Sequence, residues 1–249
     1  PFFADVELDS QNISRRTIEA VLTPNTKAII CVHLAGWMCD MDPIMQLAQE
    51  KGLYVIEDCA QAHGASYKGK AAGSIGHIGA WSFCQDKIMT TGGEGGMVTT
   101  NDEHLWKKMW SYKDHGKNFD SIYNKQHPPG FRWLHDSFGT NWRMMEMQAV
   151  IGRIQLQKMP QWTAQRNANM QKIYTAFKDS PYFTVYQPSE DYVHAAYKCY
   201  VQVNTDQLPT GWSRDRIMAE INALGVPCFS GSCSEVYLEH AFDNTRWRP

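Results

Sequence analysis

Two stretches of this 249-residue chain concentrate the residue types that do chemistry. In Tyr54-Val-Ile-Glu-Asp-Cys-Ala-Gln-Ala-His-Gly-Ala65 an apolar run passes straight into Glu57 and Asp58, with Gln61 and His63 behind them. In Ala80-Trp-Ser-Phe-Cys-Gln-Asp-Lys-Ile-Met-Thr-Thr-Gly-Gly-Glu-Gly-Gly96 a second apolar run is followed by one lysine, Lys87, and then by Gly92, Gly93, Gly95 and Gly96. Open α/β sheets bind ligands beyond the carboxyl ends of their strands, so acids and amines placed there carry the most weight. A carboxylate in that position either caps the next segment or holds a cationic ligand group. A lysine is ordinarily a solvated surface group; one flanked by Trp81, Phe83 and Ile88 and set beside glycine turns is better placed to be a desolvated nucleophilic amine. The glycines alone are weak signals. They lack the order of a phosphate-binding P-loop, and no Gly-x-Gly-x-x-Gly follows the first strand.

The combination is more specific than its parts. Asp58, Ser82 and, five positions after that serine, Lys87 meet the demands of pyridoxal phosphate (PLP) chemistry. The lysine amine forms a Schiff base with the cofactor aldehyde, the carboxylate keeps the pyridine nitrogen protonated so that the ring takes up electrons, and the serine hydroxyl donates to the phosphate.

These residues need a scaffold of strands and helices in alternation. Strand-like runs occur at residues 2–6, 28–32, 54–57, 80–83 and 97–100, with helical runs between them, which is the pattern of an α/β fold with a largely parallel sheet. Asp42 reads as the cap of a helix starting at Pro43 and closed by Gly52. Asn101 or Asp102 starts the next, running through Leu105, Trp106 and Met109 toward Gly116. From Arg143 to about Phe177 the pattern is helical, with an interruption expected at Pro160. Beyond Pro181 an alternating strand (Tyr197, Cys199, Val201, Val203) and a helix from Ser213 to Gly225 begin a smaller α/β unit. The expected division is 1–160 for the larger unit and 161–249 for the smaller. The apolar opening Pro1-Phe-Phe-Ala-Asp-Val6 and the ending Arg248-Pro249 read as interior parts of a longer protein.

Composition excludes several classes. Twenty-four basic against 26 acidic side chains give a net charge of −2, which argues against nucleic acid as a partner. No apolar run approaches the roughly 20 residues that span a bilayer, so no membrane partner is expected. Seven scattered cysteines without a Cys-x-x-Cys pair fit a reducing, cytoplasmic setting and give no zinc spacing.

Asp58-Cys-Ala-Gln-Ala-His-Gly-Ala65, Gly73-Ser-x-Gly76, Trp81-Ser-Phe83 through Lys87, Gly93-Glu-Gly-Gly-Met-Val98, Asn141-Trp-Arg-Met-x-Glu-Met-Gln-Ala149 and His33-Leu-x-Gly36 together resemble the DegT/DnrJ/EryC1/StrS family of PLP-dependent sugar aminotransferases. The resemblance extends over essentially the whole chain. It implies a fold-type-I transferase: a three-layer α/β/α large domain with a mostly parallel sheet, plus a smaller α/β C-terminal domain. It also implies a homodimer with shared active sites that moves an amino group from an amino acid, usually glutamate, to a nucleotide-linked keto-sugar. Residue by residue, Lys87 resembles the Schiff-base lysine, which would also carry the proton between cofactor and substrate. Asp58 resembles the partner of the ring nitrogen, Gln61 a residue at the ring hydroxyl and face, and Ser82 a phosphate ligand. Asn141 resembles the residue that reaches the phosphate from the neighbouring subunit. Each has a plainer alternative: Gln61 as a helix cap, Ser82 satisfying strand backbone, Asn141 as a turn residue, and His63 and His115 as hydrogen-bonded structural residues.

Departures mark the limits of the resemblance. Gln85-Asp86 stands where many members have Pro-Thr, and Phe229-Ser-Gly-Ser-Cys-Ser234 differs from the family's aromatic and histidine-bearing pattern. A dehydrase branch of the family has histidine in place of the lysine, which Lys87 argues against. A non-catalytic PLP-binding regulator and a nicotinamide-dependent sugar oxidoreductase are the competing readings, the latter weakened by the missing dinucleotide fingerprint.

Overall fold

The computed structural model describes residues 1–127, 129–130, 132–231 and 235–242. Pro128 and Phe131 of the aromatic loop, residues 232–234 of the divergent C-terminal segment and the terminal Arg248-Pro249 lie outside the described residues.

Four strands form the central sheet: β1 (Ala28–Val32), β2 (Tyr54–Asp58), β5 (Ile78–Ser82) and β6 (Gly96–Thr99), in the order β1-β2-β5-β6. The first three are parallel and β6 is antiparallel to β5. The short strands β3 (Ser66–Tyr67) and β4 (Lys70–Ala71) stand apart and pair with β8 (Tyr192–Val193), while β7 (Phe183–Thr184) pairs with β9 (Gln202–Val203). The helices are α1 (Arg15–Glu19), α2 (Met41–Lys51), α3 (Glu103–Lys113), α4 (Phe119–Tyr123), α5 (Glu146–Phe177) and α6 (Arg214–Ala223).

Helix α2 supplies one side of the core. Met41, Ile44, Leu47 and Ala48 recur at helical spacing and pack with Ile29, Cys31 and Val55 of the sheet. Burying each large apolar side chain contributes about 1.5–3 kcal/mol. The helix begins two residues earlier than expected: Asp40, not Asp42, is its N-cap, and Pro43 sits inside the first turn, where its missing N–H has no intrahelical partner to lose. Asp40 makes no capping bond because its Oδ1 accepts the Tyr67 hydroxyl at 2.6 Å. Gly52 ends the helix in the left-handed conformation (φ 65°), and Asp102 and Ser213 cap α3 and α6 as their sequences indicate.

Three expectations are corrected. Residues 2–6 form no strand; no neighbouring ladder receives them, and Phe3 instead stacks on Tyr237 with ring centroids 5.4 Å apart. The alternating run from Tyr197 to Val203 pairs only at Gln202–Val203, because the backbone N–H of Tyr197 is spent on the Ala35 carbonyl. Helix α5 continues through Pro160 without interruption. Proline removes one bond to the Leu156 carbonyl, but Leu156 is exposed and its carbonyl can be hydrated, while Met159 on one side and Met170 and Tyr174 on the other are buried and hold both halves in line. The 160/161 division therefore falls within a continuous helix. Among the described residues no helix is long and apolar enough to cross a membrane.

Candidate active site

The parallel register aligns Val32 and Asp58, at the carboxyl ends of β1 and β2, with Ala80 of β5, which runs on two residues further to Ser82. Side chains alternate along a strand, so Asp58 shares its face with Ala80 and Ser82, and Glu57 shares the opposite face with Trp81. Adjacent acids thus serve different ends. Asp58 is half-buried at the sheet end, where its Oδ1 accepts the Ala60 N–H at 3.0 Å.

Glu57 is fully buried. One of its oxygens accepts His33 Nε2 at 2.9 Å and Gly73 N at 2.9 Å; the other accepts Ile75 N at 2.8 Å and Gly76 N at 2.6 Å. His33 Nδ1 accepts Cys39 N, which places the ring proton on Nε2, facing Glu57. Burial alone would raise the Glu57 pKa; the His33 bond and the N–H groups of Gly76 and Gly73 outweigh it and hold the carboxyl below its ordinary value. The pair anchors the Gly73–Gly76 turn and is structural. Donor atoms of His33, Glu57 and Cys59 lie within 4.8 Å of one another, but the Glu57 oxygens and both His33 nitrogens are already engaged. Glu57→Gln would turn an amide N–H₂ toward N–H donors, at an expected cost of about 3 kcal/mol. That corresponds to a Tm roughly 6–12 °C lower at pH 7. Because the native pKa is depressed, the contribution is complete above the ordinary carboxylate value near ~4.3 and is lost as pH falls through the native one. The gap between wild type and variant should narrow in acid, and equal melting at pH 7 would overturn the assignment.

Lys87 lies in the loop after β5, fixed by its own N–H to the Cys84 carbonyl (3.1 Å) and by buried Ile88 and Met89 behind it. Helix α5 braces this loop: Gln155 accepts Thr90 N at 2.9 Å and Gln148 donates to the Glu94 carbonyl at 2.7 Å. The glycine run serves the same closure. A Cβ on Gly95 would overlap the Thr91 hydroxyl, and the Gly95 carbonyl accepts Phe83 N at 2.8 Å, so the return into β6 passes too close for any side chain.

The Lys87 Nζ stands 3.4 Å from the Tyr197 hydroxyl, a partner that sequence spacing gave no means of finding. Burial pulls the amine pKa down, but the Tyr197 bond and the charges of Tyr197 and Asp86 raise it more, leaving it above the ordinary lysine value. The Ser82 hydroxyl accepts Cys84 N at 3.4 Å. Gln61 Oε1 accepts Ala35 N at 2.6 Å, leaving its amide nitrogen as the half of the group not so engaged.

Asn141 is exposed. It pairs with Asp114 in an isolated bridge, and Asp114 also accepts Arg143 at 2.9 Å, so its segment is held against the end of α3. His115 works through its backbone: with φ 64° it donates its N–H to the Thr140 carbonyl at 2.8 Å, one residue before Asn141. His63 is buried against Trp81 and Phe83, with ring centroids 5.2 and 5.8 Å away. Burial, opposed by the Ser82 backbone and reinforced by the Lys87 charge, pushes its pKa down to about 4, so the ring is neutral near pH 7. Asp58, Ser82 and the lysine loop are therefore brought to one sheet end, and Asn141 lies on a separate, outward-facing segment.

The family model for the DegT/DnrJ/EryC1/StrS aminotransferase family matches residues 1–243. The chain belongs to that family. GDP-perosamine synthase of Caulobacter vibrioides is 35% identical over 228 residues, 91% of this chain and 57% of that protein. A UDP-N-acetyl-3-dehydro-alpha-D-glucosamine 3-aminotransferase of Acidithiobacillus ferrooxidans is 46% identical over 153 residues, 61% of this chain and 38% of that protein. A crystallographic aminotransferase from Psychrobacter cryohalolentis superposes with a TM-score of 0.96 at 65% identity, covering 100% of this chain and 65% of that one. The match thus spans little more than half of the perosamine synthase and less than half of the 3-aminotransferase. Its mixed, mostly parallel α/β architecture is the fold-type-I architecture of this aminotransferase family.

Proposed function

We propose that the full-length protein is a PLP-dependent aminotransferase that moves an amino group from an amino acid, glutamate foremost, onto a nucleotide-linked keto-sugar for surface polysaccharide, glycan or antibiotic-sugar biosynthesis. The observation that carries this reading is the convergence of Asp58, Ser82 and the Lys87 loop on one sheet end in a chain of this family. The donor set fits the cofactor: a carboxylate for the ring nitrogen, a hydroxyl for the phosphate, an amine for the aldehyde. Bound PLP supplies the electron sink. Asp58 would hold the proton on the ring nitrogen, Ser82 would bind the phosphate, and the Gln61 amide nitrogen would be the group left to donate to the ring hydroxyl. The Lys87 amine would hold the aldehyde as a Schiff base and serve as the group that carries the proton.

The division into a cofactor unit at 1–160 and a smaller unit at 161–249 is part of the proposal. So is a homodimer in which Asn141, exposed and held outward by the Asp114–Arg143 pair, reaches the phosphate site of the neighbouring subunit. A cytoplasmic setting is also part of the proposal, in keeping with the substrate class and with the free cysteines among the described residues.

The test uses the full-length protein with glutamate and a panel of keto-sugar nucleotides. A yellow protein that forms an amino-sugar nucleotide supports the reading; a colourless protein carrying nicotinamide, or a yellow one with no turnover on any member, counts against it. In the same assay, exchanged dimers of Lys87→Ala and Asn141→Ala chains should regain one intact site. No recovery above the parent variants would place Asn141 in its own subunit's site or outside it.

A further inference from the structure

The Lys87 amine is held by groups from two distant parts of the chain. Its Nζ lies 5.1 Å from the centre of the Tyr197 ring and 3.4 Å from the Tyr197 oxygen. The Tyr197 hydroxyl donates to Asp86 Oδ2 at 3.0 Å, and Asp86 Oδ1 lies 3.7 Å from the same Nζ while accepting Cys84 Sγ at 2.7 Å. Tyr197 arrives from beyond α5 and is seated by backbone: Tyr197 N and Lys198 N both donate to the Ala35 carbonyl (3.0 and 3.2 Å), and Ala195 N donates to the Gly36 carbonyl at 2.9 Å. This seat is preset. Ala35 is left-handed (φ 58°), its N–H is held by Gln61, and a Cβ on Gly36 would come within 2.7 Å of the Ala195 methyl. From α5, Arg166 donates to the Ala196 carbonyl at 3.3 Å and Asn167 to the His194 carbonyl at 2.7 Å, fixing the segment from its other side.

We propose that Tyr197 and Asp86 are positioning residues for Lys87, together holding its amine in one orientation at the cofactor site. The proposal rests on Lys87 being the reacting amine. A lysine side chain samples many rotamers, so an unrestrained amine would spend little time in a productive place. The polarity of the relay matters as well. The phenol proton is committed to Asp86, so the Tyr197 oxygen can only accept from the amine. A neutral Lys87 therefore donates one N–H to Tyr197 and keeps its lone pair directed elsewhere. The charged or titratable groups around the amine are Asp86 and Cys84 on its own loop, Tyr197 and Lys198 on the seated segment, and neutral His63 from the segment after β2.

The experiment is competitive acetylation of cofactor-stripped full-length protein with acetic anhydride across pH, with Lys87 occupancy read by peptide mass spectrometry. Tyr197→Phe keeps the ring and removes the acceptor; Asp86→Asn changes an exposed side chain and keeps its size. Each should move the Lys87 midpoint down by about one pH unit, a roughly tenfold faster acylation near pH 8. Each should also lower kcat with little change in the KM of the amino donor. Unmoved midpoints in both folded variants overturn the proposal. Borohydride reduction of the wild-type holoprotein separates the two readings: a pyridoxyl group mapped away from Lys87 removes the catalytic assignment whatever the acylation shows, and one mapped to Lys87 beside unmoved midpoints removes the positioning role alone.

Discussion

The full-length Lys87→Ala protein should lose transamination by more than the roughly 10⁴-fold at the upper end of general acid–base catalysis, because one substitution removes both the covalent attachment and the proton carrier. The fold should survive. The side chain is part-exposed, and the loop is fixed by backbone bonds from Lys87 N to Cys84 O and from Thr91 N to Phe83 O, and by buried Ile88 and Met89, none of which needs the amine. Borohydride reduction of the wild type followed by peptide mapping should place the pyridoxyl group on the peptide containing Lys87. Finding it on any other lysine, or finding substantial turnover in the folded alanine variant, ends the assignment.

Asp58→Asn should come second, with kcat reduced roughly 10²-fold or more, the range seen when a charged or preorganised stabilising group is lost. The expected separation of activity from stability follows from geometry. Among the described residues the one hydrogen bond to the Asp58 side chain comes from Ala60 N to Oδ1, and an asparagine oxygen can accept it as well. Melting should therefore be nearly unchanged while the ring nitrogen loses its anionic partner. Near-normal turnover in this variant would remove Asp58 from the site.

Much of this arrangement was legible from residue order because it is local. The strand 54–58 with its terminal acids, the Gly52 stop and the helix starts at Asp102 and Ser213 each depend on neighbours a few positions away. What stayed hidden depends on pairing across distance. Residues 2–6 have strand composition but no ladder to join, and the 197–203 alternation was overridden where Tyr197 spends its N–H on Ala35. Pro160 read as a break because its helix penalty is local, whereas the burial of Met159, Met170 and Tyr174 that offsets it is not. The different fates of Glu57 and Asp58 needed the positions of His33 and of the Gly73–Gly76 turn, and the Tyr197 contact with Lys87 spans 110 positions.

The side-by-side placement of Glu57 and Asp58 also makes β2 intolerant of length change. The strand is flanked on both sides by parallel neighbours, so it cannot slide to absorb an added residue. Inserting or deleting one position between Leu53 and Glu57 would exchange the directions of the two carboxylates. The acid that meets four buried donors would swing to the other face of the sheet, and Asp58 would be driven into the core without partners. Residue swaps at either position are graded injuries, whereas a frame error of one residue in this strand strikes folding and chemistry together. Loop grafts or chimaeras built from other family members should therefore keep the count from Gly52 to Asp58 fixed.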